Sequence, residues 1–179
     1  MRIGIDVDGV LAARIPAILA LIERRHGVSI AREEVTDWSV SVPTTDRDIS
    51  SYFAETDADP EHIRALDPID GAVEGMRRLA RHHTLLIATY RKPEAAEPTM
   101  EWLDSNGIPY DRYVRDVGER KRNVRATVLV DDSPRTVRAF VESGREAILF
   151  RQPWNRQEQI PDGIPVADGW ADVLEELGL

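Results

Sequence analysis

The sequence predicts an α/β domain: a doubly wound parallel sheet, opened after its first strand by a small helical insertion. Three observations carry that expectation. Four short apolar runs, 2–7, 84–90, 127–131 and 147–150, lack polar alternation, as strands buried on both faces of a parallel sheet do. The segments between them repeat their apolar residues at helical spacing. About 75 residues separate the first run from the second, where a simple crossover needs a dozen or so.

Taken in order, the first strand runs into Asp6-Val7-Asp8-Gly9. A helix over 15–26 is closed by Gly27, and further helices are expected over 31–38, 46–54 and 60–66. Residues 14–68 therefore read as a small helical module, with Asp67-Pro68-Ile69-Asp70-Gly71 as the return, leaving 1–13 and 69–179 as the core. The core resumes with a helix over 71–83, whose Val73, Met76, Leu79 and Ala80 share a face. The second strand follows, then a weak strand at 112–114 and the third strong one at 127–131. A helix over 134–143, with Val137, Phe140 and Val141 on one face, precedes the strand at 147–150. Gly107 and Gly144 stand where helices end.

At 179 residues and 42% hydrophobic content, the chain suits one domain, or one with a small appended module. The absence of cysteine excludes disulfides, a thiolate nucleophile and thiolate-bound metals, so any catalysis must use oxygen or nitrogen groups. A net charge of −9 argues against partnership with a nucleic acid polymer or an anionic membrane. The longest apolar stretch, residues 15–22, falls far short of the roughly 20 residues that cross a bilayer. Asp6 and Asp8 interrupt the place where an export signal would have its apolar centre, so a cytoplasmic protein is expected. Of the 23 basic residues only Lys92 and Lys121 are lysines.

Open α/β sheets bind ligands beyond the carboxyl ends of their strands. There this chain places Asp6 and Asp8, two apart and so expected on one side, with Gly9 permitting a turn. The strand at 127–131 ends in Asp131-Asp132-Ser133-Pro134, a second acidic pair followed by a helix cap and a first-turn proline. Four carboxylates on two strands suit a hard divalent cation such as Mg²⁺. Thr89 ends the second strand and can donate to a phosphoryl oxygen, and Lys121 can neutralise the same anion. Each feature taken singly has a plain structural explanation as turn, cap or solvated face. One phosphoryl-transfer site accounts for all four together.

Asp6-Val7-Asp8-Gly9-Val10, Thr89, Lys121 and Asp131-Asp132 stand in the order of the four motifs of the haloacid dehalogenase-like (HAD) phosphohydrolase superfamily, which the chain resembles. The insertion looks like that superfamily's C1-type cap on a Rossmann-like core. Asp131-Asp132-Ser133-Pro134, the segment 148–155 with its Pro153-Trp154-Asn155, and a helix near Trp170-Ala171-Asp172-Val173 are similar to the cytosolic C-type 5′(3′)-deoxyribonucleotidases. That family usually has Thr-Ala-Arg where this chain has Thr89-Tyr90-Arg91.

The resemblance implies a Mg²⁺-dependent phosphomonoester hydrolase. Asp6 would be the nucleophile forming an aspartyl-phosphate, Asp8 the acid and base, and Thr89 and Lys121 the groups that neutralise the phosphoryl charge. Thr89, Tyr90, Arg91 and Lys121 would contact substrate. Asp6, Asp8 through its backbone carbonyl, Asp131 and Asp132 would hold the metal. The implied substrate is a small phosphorylated molecule, a nucleoside monophosphate first, with a sugar phosphate or another small phosphorylated metabolite as the alternative. A receiver-like signalling domain fits less well, since its acidic pair lies on the first strand and it carries no helical insertion. A homodimer stays open. Trp38, Tyr52 and Phe53 are expected to form the insertion's own core rather than to meet substrate, Trp154 to pack its loop, and His26, His62, His82 and His83 to have no functional part.

Overall fold

Six short parallel strands form one sheet in the order β3-β2-β1-β4-β5-β6, in a computed structural model that describes all residues 1–179. The strands are β1 (Arg2–Ile5), β2 (Thr84–Ile87), β3 (Arg112–Tyr113), β4 (Val128–Asp131), β5 (Glu146–Phe150) and β6 (Val166–Ala167). Ile5 is in register with Ile87 on one side and Val130 on the other, which brings the residues after β1, β2 and β4 to one edge. The chain adds strands on opposite sides of β1, so this edge is a topological switch point, where such sheets open a crevice.

The helices are α1 (Arg14–His26), α2 (Phe53–Asp57), α3 (Pro60–Arg64), α4 (Ala72–Ala80), α5 (Ala96–Ser105), α6 (Pro134–Glu142) and α7 (Trp170–Glu176). One face of the sheet is covered by α4, α5 and α7, whose Met76, Leu79, Trp102, Leu103 and Trp170 join Ile3, Ile5 and Val130 in the main core. Gly75 gives α4 close passage to α7: a Cβ there would lie 2.3 Å from the Trp170 ring. The other face is covered by α6 and by the segment 114–127, which carries only a 3₁₀ turn where the alternating pattern would place a helix.

Residues 14–68 have an apolar cluster of their own, built from Ile15, Ile18, Leu19, Ile22, Val35, Val42, Ile49 and Tyr52. Two of the helices expected there differ. Over 31–38 there is a single 3₁₀ turn, Arg32–Glu34, because Asp37 folds back to accept hydrogen bonds from the Ser39 amide and hydroxyl. Over 46–54 the chain first completes a turn in which the Val42 amide donates to the Arg47 carbonyl; Asp48 then caps a 3₁₀ turn at Ile49–Tyr52 by accepting from the Ser51 amide, and α2 follows. No helix is long and apolar enough to cross a membrane.

Candidate active site

Asp131 is the last residue of β4, while Asp8 and Asp132 lie beyond their strands. Asp6 lies just past β1, its amide donating to the Val130 carbonyl, and the chain then reverses: the Leu11 and Ala12 amides both return to the Val7 carbonyl. Gly9, at φ +79°, makes that reversal possible, and its missing Cβ leaves room for Asp132, whose Oδ2 would lie 2.2 Å from one. Asp6 and Asp8 lie beyond the last residue of β1, and both border one cleft. Each meets its own set of partners.

Asp6, Asp131 and Asp132 come together, their nearest oxygens all within 4.8 Å of one another. Lys121 reaches this group fully buried, with Nζ 2.6 Å from Asp131 Oδ2 and 2.8 Å from Asp6 Oδ1. It stands on the 3₁₀ turn Glu119–Lys121, where Arg120 and Lys121 hold φ of +51° and +55°. Two successive non-glycine residues in the left-handed region mark a backbone held by its surroundings. Burial works against the Lys121 charge, but Asp131 and Asp6 outweigh it and push its pKa up. Burial raises Asp6 to about 7 despite the opposing pull of Lys121, and burial with the charges of Asp6 and Asp131 raises Asp132 well above the carboxylate range. Asp6 Oδ1 is buried with the Lys121 ammonium, shared with Asp131, as its only polar neighbour of opposite charge. One ammonium cannot neutralise three carboxylates, so the chemistry of this group fits a divalent cation with oxygen ligands.

Asp8 stands apart from that group. Arg91 holds it through both oxygens, Nε at 3.0 Å and a terminal nitrogen at 2.5 Å, and Arg14 donates to it at 3.0 Å. Burial alone would raise Asp8, but the two guanidinium charges more than offset it and bring its pKa down to about 2. The four carboxylates expected as one acidic set are thus three plus one. Arg91, expected among the substrate-binding residues, spends its fork on Asp8 and Thr99, and its side chain is 1% exposed. The reason is geometric: it follows Thr89 on the same strand end and turns inward over the Asp6–Gly9 loop.

Thr89 is buried, its hydroxyl oxygen accepting from the Arg91 amide, which leaves the hydroxyl proton free to donate. Tyr90 is 53% exposed; its hydroxyl accepts from the Lys121 amide and Lys121 Nζ lies 5.3 Å from its ring centre. These residues border a cleft of about 280 Å³ shared by Asp6, Asp8, Thr89, Tyr90 and Asp132 on the core side and by Trp38, Phe53 and Asp57 on the other.

Two side chains expected inside the insertion therefore wall the cleft. Trp38, 37% exposed, packs edge-on against Phe53 at 5.2 Å and against Trp154 at 5.0 Å. Tyr52 is in the insertion's core, as expected, with His26 on its hydroxyl. Arg14 was not singled out by sequence. It opens α1 and links Asp8 to the Phe53 carbonyl at 2.9 Å and to Asp57 at 2.8 Å, tying the acid to the inserted module. The available signal was a charged residue at the first position after the motif turn.

An aspartate pair with a buried lysine at the switch point of a 3-2-1-4 parallel sheet defines a phosphohydrolase of the HAD superfamily, and solved structures agree on the fold. A haloacid dehalogenase-like hydrolase from Streptococcus pneumoniae superposes with a TM-score of 0.63 at 13% identity, covering 98% of this chain and 97% of that one. A D,D-heptose 1,7-bisphosphate phosphatase from B. bronchiseptica gives 0.57 at 17% identity, covering 98% and 97%. The sequence model of the family "5′ nucleotidase, deoxy (pyrimidine), cytosolic type C protein" matches residues 1–177, and the chain belongs to that family. A Chlorobaculum tepidum protein named "Putative 5′(3′)-deoxyribonucleotidase" is 30% identical over 98% of this chain and 89% of its own length. One of the same name from Staphylococcus epidermidis is 27% identical over 96% and 93%. The chain is a phosphomonoester hydrolase.

Proposed function

We infer that the protein is a Mg²⁺-dependent 5′(3′)-nucleotidase that releases phosphate from nucleoside monophosphates through an aspartyl-phosphate, with residues 14–68 as a cap over a core of 1–13 and 69–179. The observation that carries this reading is the buried Asp6–Lys121–Asp131 group at the floor of a cleft whose cap wall is aromatic. Asp6, Asp131 and Asp132 would hold the metal together with the Asp8 backbone carbonyl. Bound there, Mg²⁺ supplies positive charge against the phosphoryl oxygens and lets Asp6 stay ionised at neutral pH.

The remaining chemistry belongs to the chain. An Asp6 oxygen attacks phosphorus as the bond to the ester oxygen breaks, and Lys121 and the Thr89 hydroxyl take up the charge that develops on the phosphoryl group. The departing alkoxide takes a proton from Asp8, and Asp8 then accepts one from the water that cleaves the aspartyl-phosphate. Held by Arg14 and Arg91, Asp8 is set for the base half of that cycle. Its acid half requires the substrate phosphate to draw one guanidinium away. Arg14 is placed for this, since it lines the cleft and also contacts the cap.

Trp38 and Phe53 offer apolar faces to a planar base. The test is a phosphate-release panel of 5′- and 3′-nucleotides alongside sugar phosphates and other small esters, with Mg²⁺ present and chelated. Nucleotides should give the highest kcat/KM and chelation should abolish release. A large preference for a non-nucleotide ester would transfer the assignment to a metabolite phosphatase of the same superfamily.

A further inference from the structure

The turn 152–155, after β5, holds both acidic loops of the site. Gln152, buried, donates from Nε2 to the Gly9 carbonyl at 2.6 Å, and its Oε1 accepts from Arg32 of the inserted module. Asn155, fully buried, donates from Nδ2 to the carbonyls of Asp132 and Phe150, both at 2.8 Å. Between them, the Trp154 indole N–H donates to Asp132 Oδ2 at 2.8 Å. Asp132 is thus gripped twice by neighbouring residues, its backbone by Asn155 and its side chain by Trp154. The grip is tight: Gly9 is the only residue type that fits beneath, with a Cβ 2.2 Å from Asp132 Oδ2 and 3.1 Å from the Trp154 ring.

We propose that Trp154 is a positioning residue of the acidic group: its indole N–H fixes the Asp132 carboxylate with Oδ2 engaged, so that Oδ1 is the oxygen offered to the cation. The proposal rests on the metal reading given above. The indole is suited to this task because it donates and never accepts, so it must meet an Asp132 oxygen as an acceptor and favours the rotamer that places Oδ2 there. Removing that donor from a buried carboxylate frees its rotation and leaves an oxygen without its partner. Outer partners of metal-binding side chains contribute to affinity in this way without touching the ion. Trp154 also packs against Trp38 at 5.0 Å, so the wall of the cleft and the orientation of Asp132 depend on one side chain.

The test titrates Mg²⁺ alone into the metal-free full chain by calorimetry, comparing wild type, Trp154→Phe and a protein carrying benzothienylalanine at 154. The isostere keeps the shape of the indole and lacks only the N–H, so it answers the question even if Trp154→Phe repacks the loop. Both variants should bind Mg²⁺ about 10-fold more weakly than wild type, the lower end of what lost outer partners cost, with the metal-free isostere still cooperatively folded and its Tm lowered by no more than one lost hydrogen bond costs. At saturating Mg²⁺ the isostere should leave KM for substrate unchanged, since the aromatic face is retained. Equal Mg²⁺ affinity in the isostere and wild type would overturn the proposal and make Trp154 a packing residue. Failure of wild type itself to bind Mg²⁺ would overturn the metal reading and the proposal with it, a result distinct from the previous one.

Discussion

Asp6 and Asp8 are separated by one residue, share a turn and border the same cleft, yet their surroundings drive them in opposite directions. Asp6 faces two carboxylates and one lysine, and burial lifts it to about 7. Asp8 faces two arginines that hold it near 2. The difference teaches that chemical role here is set by what the neighbouring strand ends bring, since residue type and sequence position are nearly identical. A nucleophile awaiting a cation and a proton carrier already balanced by cations are built from one Asp-x-Asp.

The sharpest way to break the comparison is to neutralise each member in turn. Asp6→Asn should lower phosphate release by more than about 10⁴-fold, as loss of a nucleophile does, while the metal-free protein keeps or gains Tm because a disfavoured buried charge is gone. Asp8→Asn should cost about 10²- to 10⁴-fold on a nucleotide, the range of general acid–base catalysis. Asp8→Ala should in addition destabilise the fold by about 3 kcal/mol, since it strands the Arg91 guanidinium in a buried position. Thermal unfolding of Asp6→Asn, Asp8→Asn and Asp8→Ala alongside their turnover separates the effects on stability from those on catalysis.

The pH dependence of Tm in metal-free protein sharpens the contrast. A carboxyl raised by the fold stabilises while protonated; for Asp6 that contribution is complete below the unfolded value of 3.8 and is lost as pH rises towards 7. Asp8 is lowered, so its contribution is complete above 3.8 and is lost as pH falls towards 2. Asp6→Asn should flatten the slope between pH 4 and 7, and Asp8→Asn the slope below 4. Saturating Mg²⁺ should raise Tm at pH 7 and remove the first slope only. The smallest effect is expected at Tyr90: Tyr90→Phe removes the nearer of the two acceptors of the Lys121 amide, leaving the Gly118 carbonyl, and should cost up to about 1 kcal/mol in stability, with a modest rise in KM.

Much of this site was legible in the residues. Strand-end acids, a threonine and a lysine in order along the chain mark the crevice of a parallel sheet, and Asp6, Thr89, Lys121, Asp131 and Asp132 do meet there. The division between Asp6 and Asp8 was not legible, because it is set by Lys121 on one side and Arg14 and Arg91 on the other, partners that distant segments bring to the turn after β1. Arg14 was hidden for a related reason: its role depends on α2 packing back over the turn from about 40 residues away, a contact no local pattern records. The insertion's helices were overread at 31–38 and 46–54, where Asp37 and Asp48 bind nearby backbone and delay or prevent the helix. Lys121 is the reverse case. In a chain with only two lysines, the one in the basic triplet 120–122 is fully buried, as its motif position required and its neighbours did not suggest.

The most direct test of the divided roles is an acid-quenched turnover of ³²P-labelled p-nitrophenyl phosphate by wild type, Asp8→Asn and Asp6→Asn in the presence of Mg²⁺. This leaving group departs without a proton, so Asp8 is needed only to activate water. The account predicts protein-bound label on Asp6 that accumulates in Asp8→Asn and is absent from Asp6→Asn. Label retained in Asp6→Asn, or none in Asp8→Asn while it still releases p-nitrophenol, would contradict it.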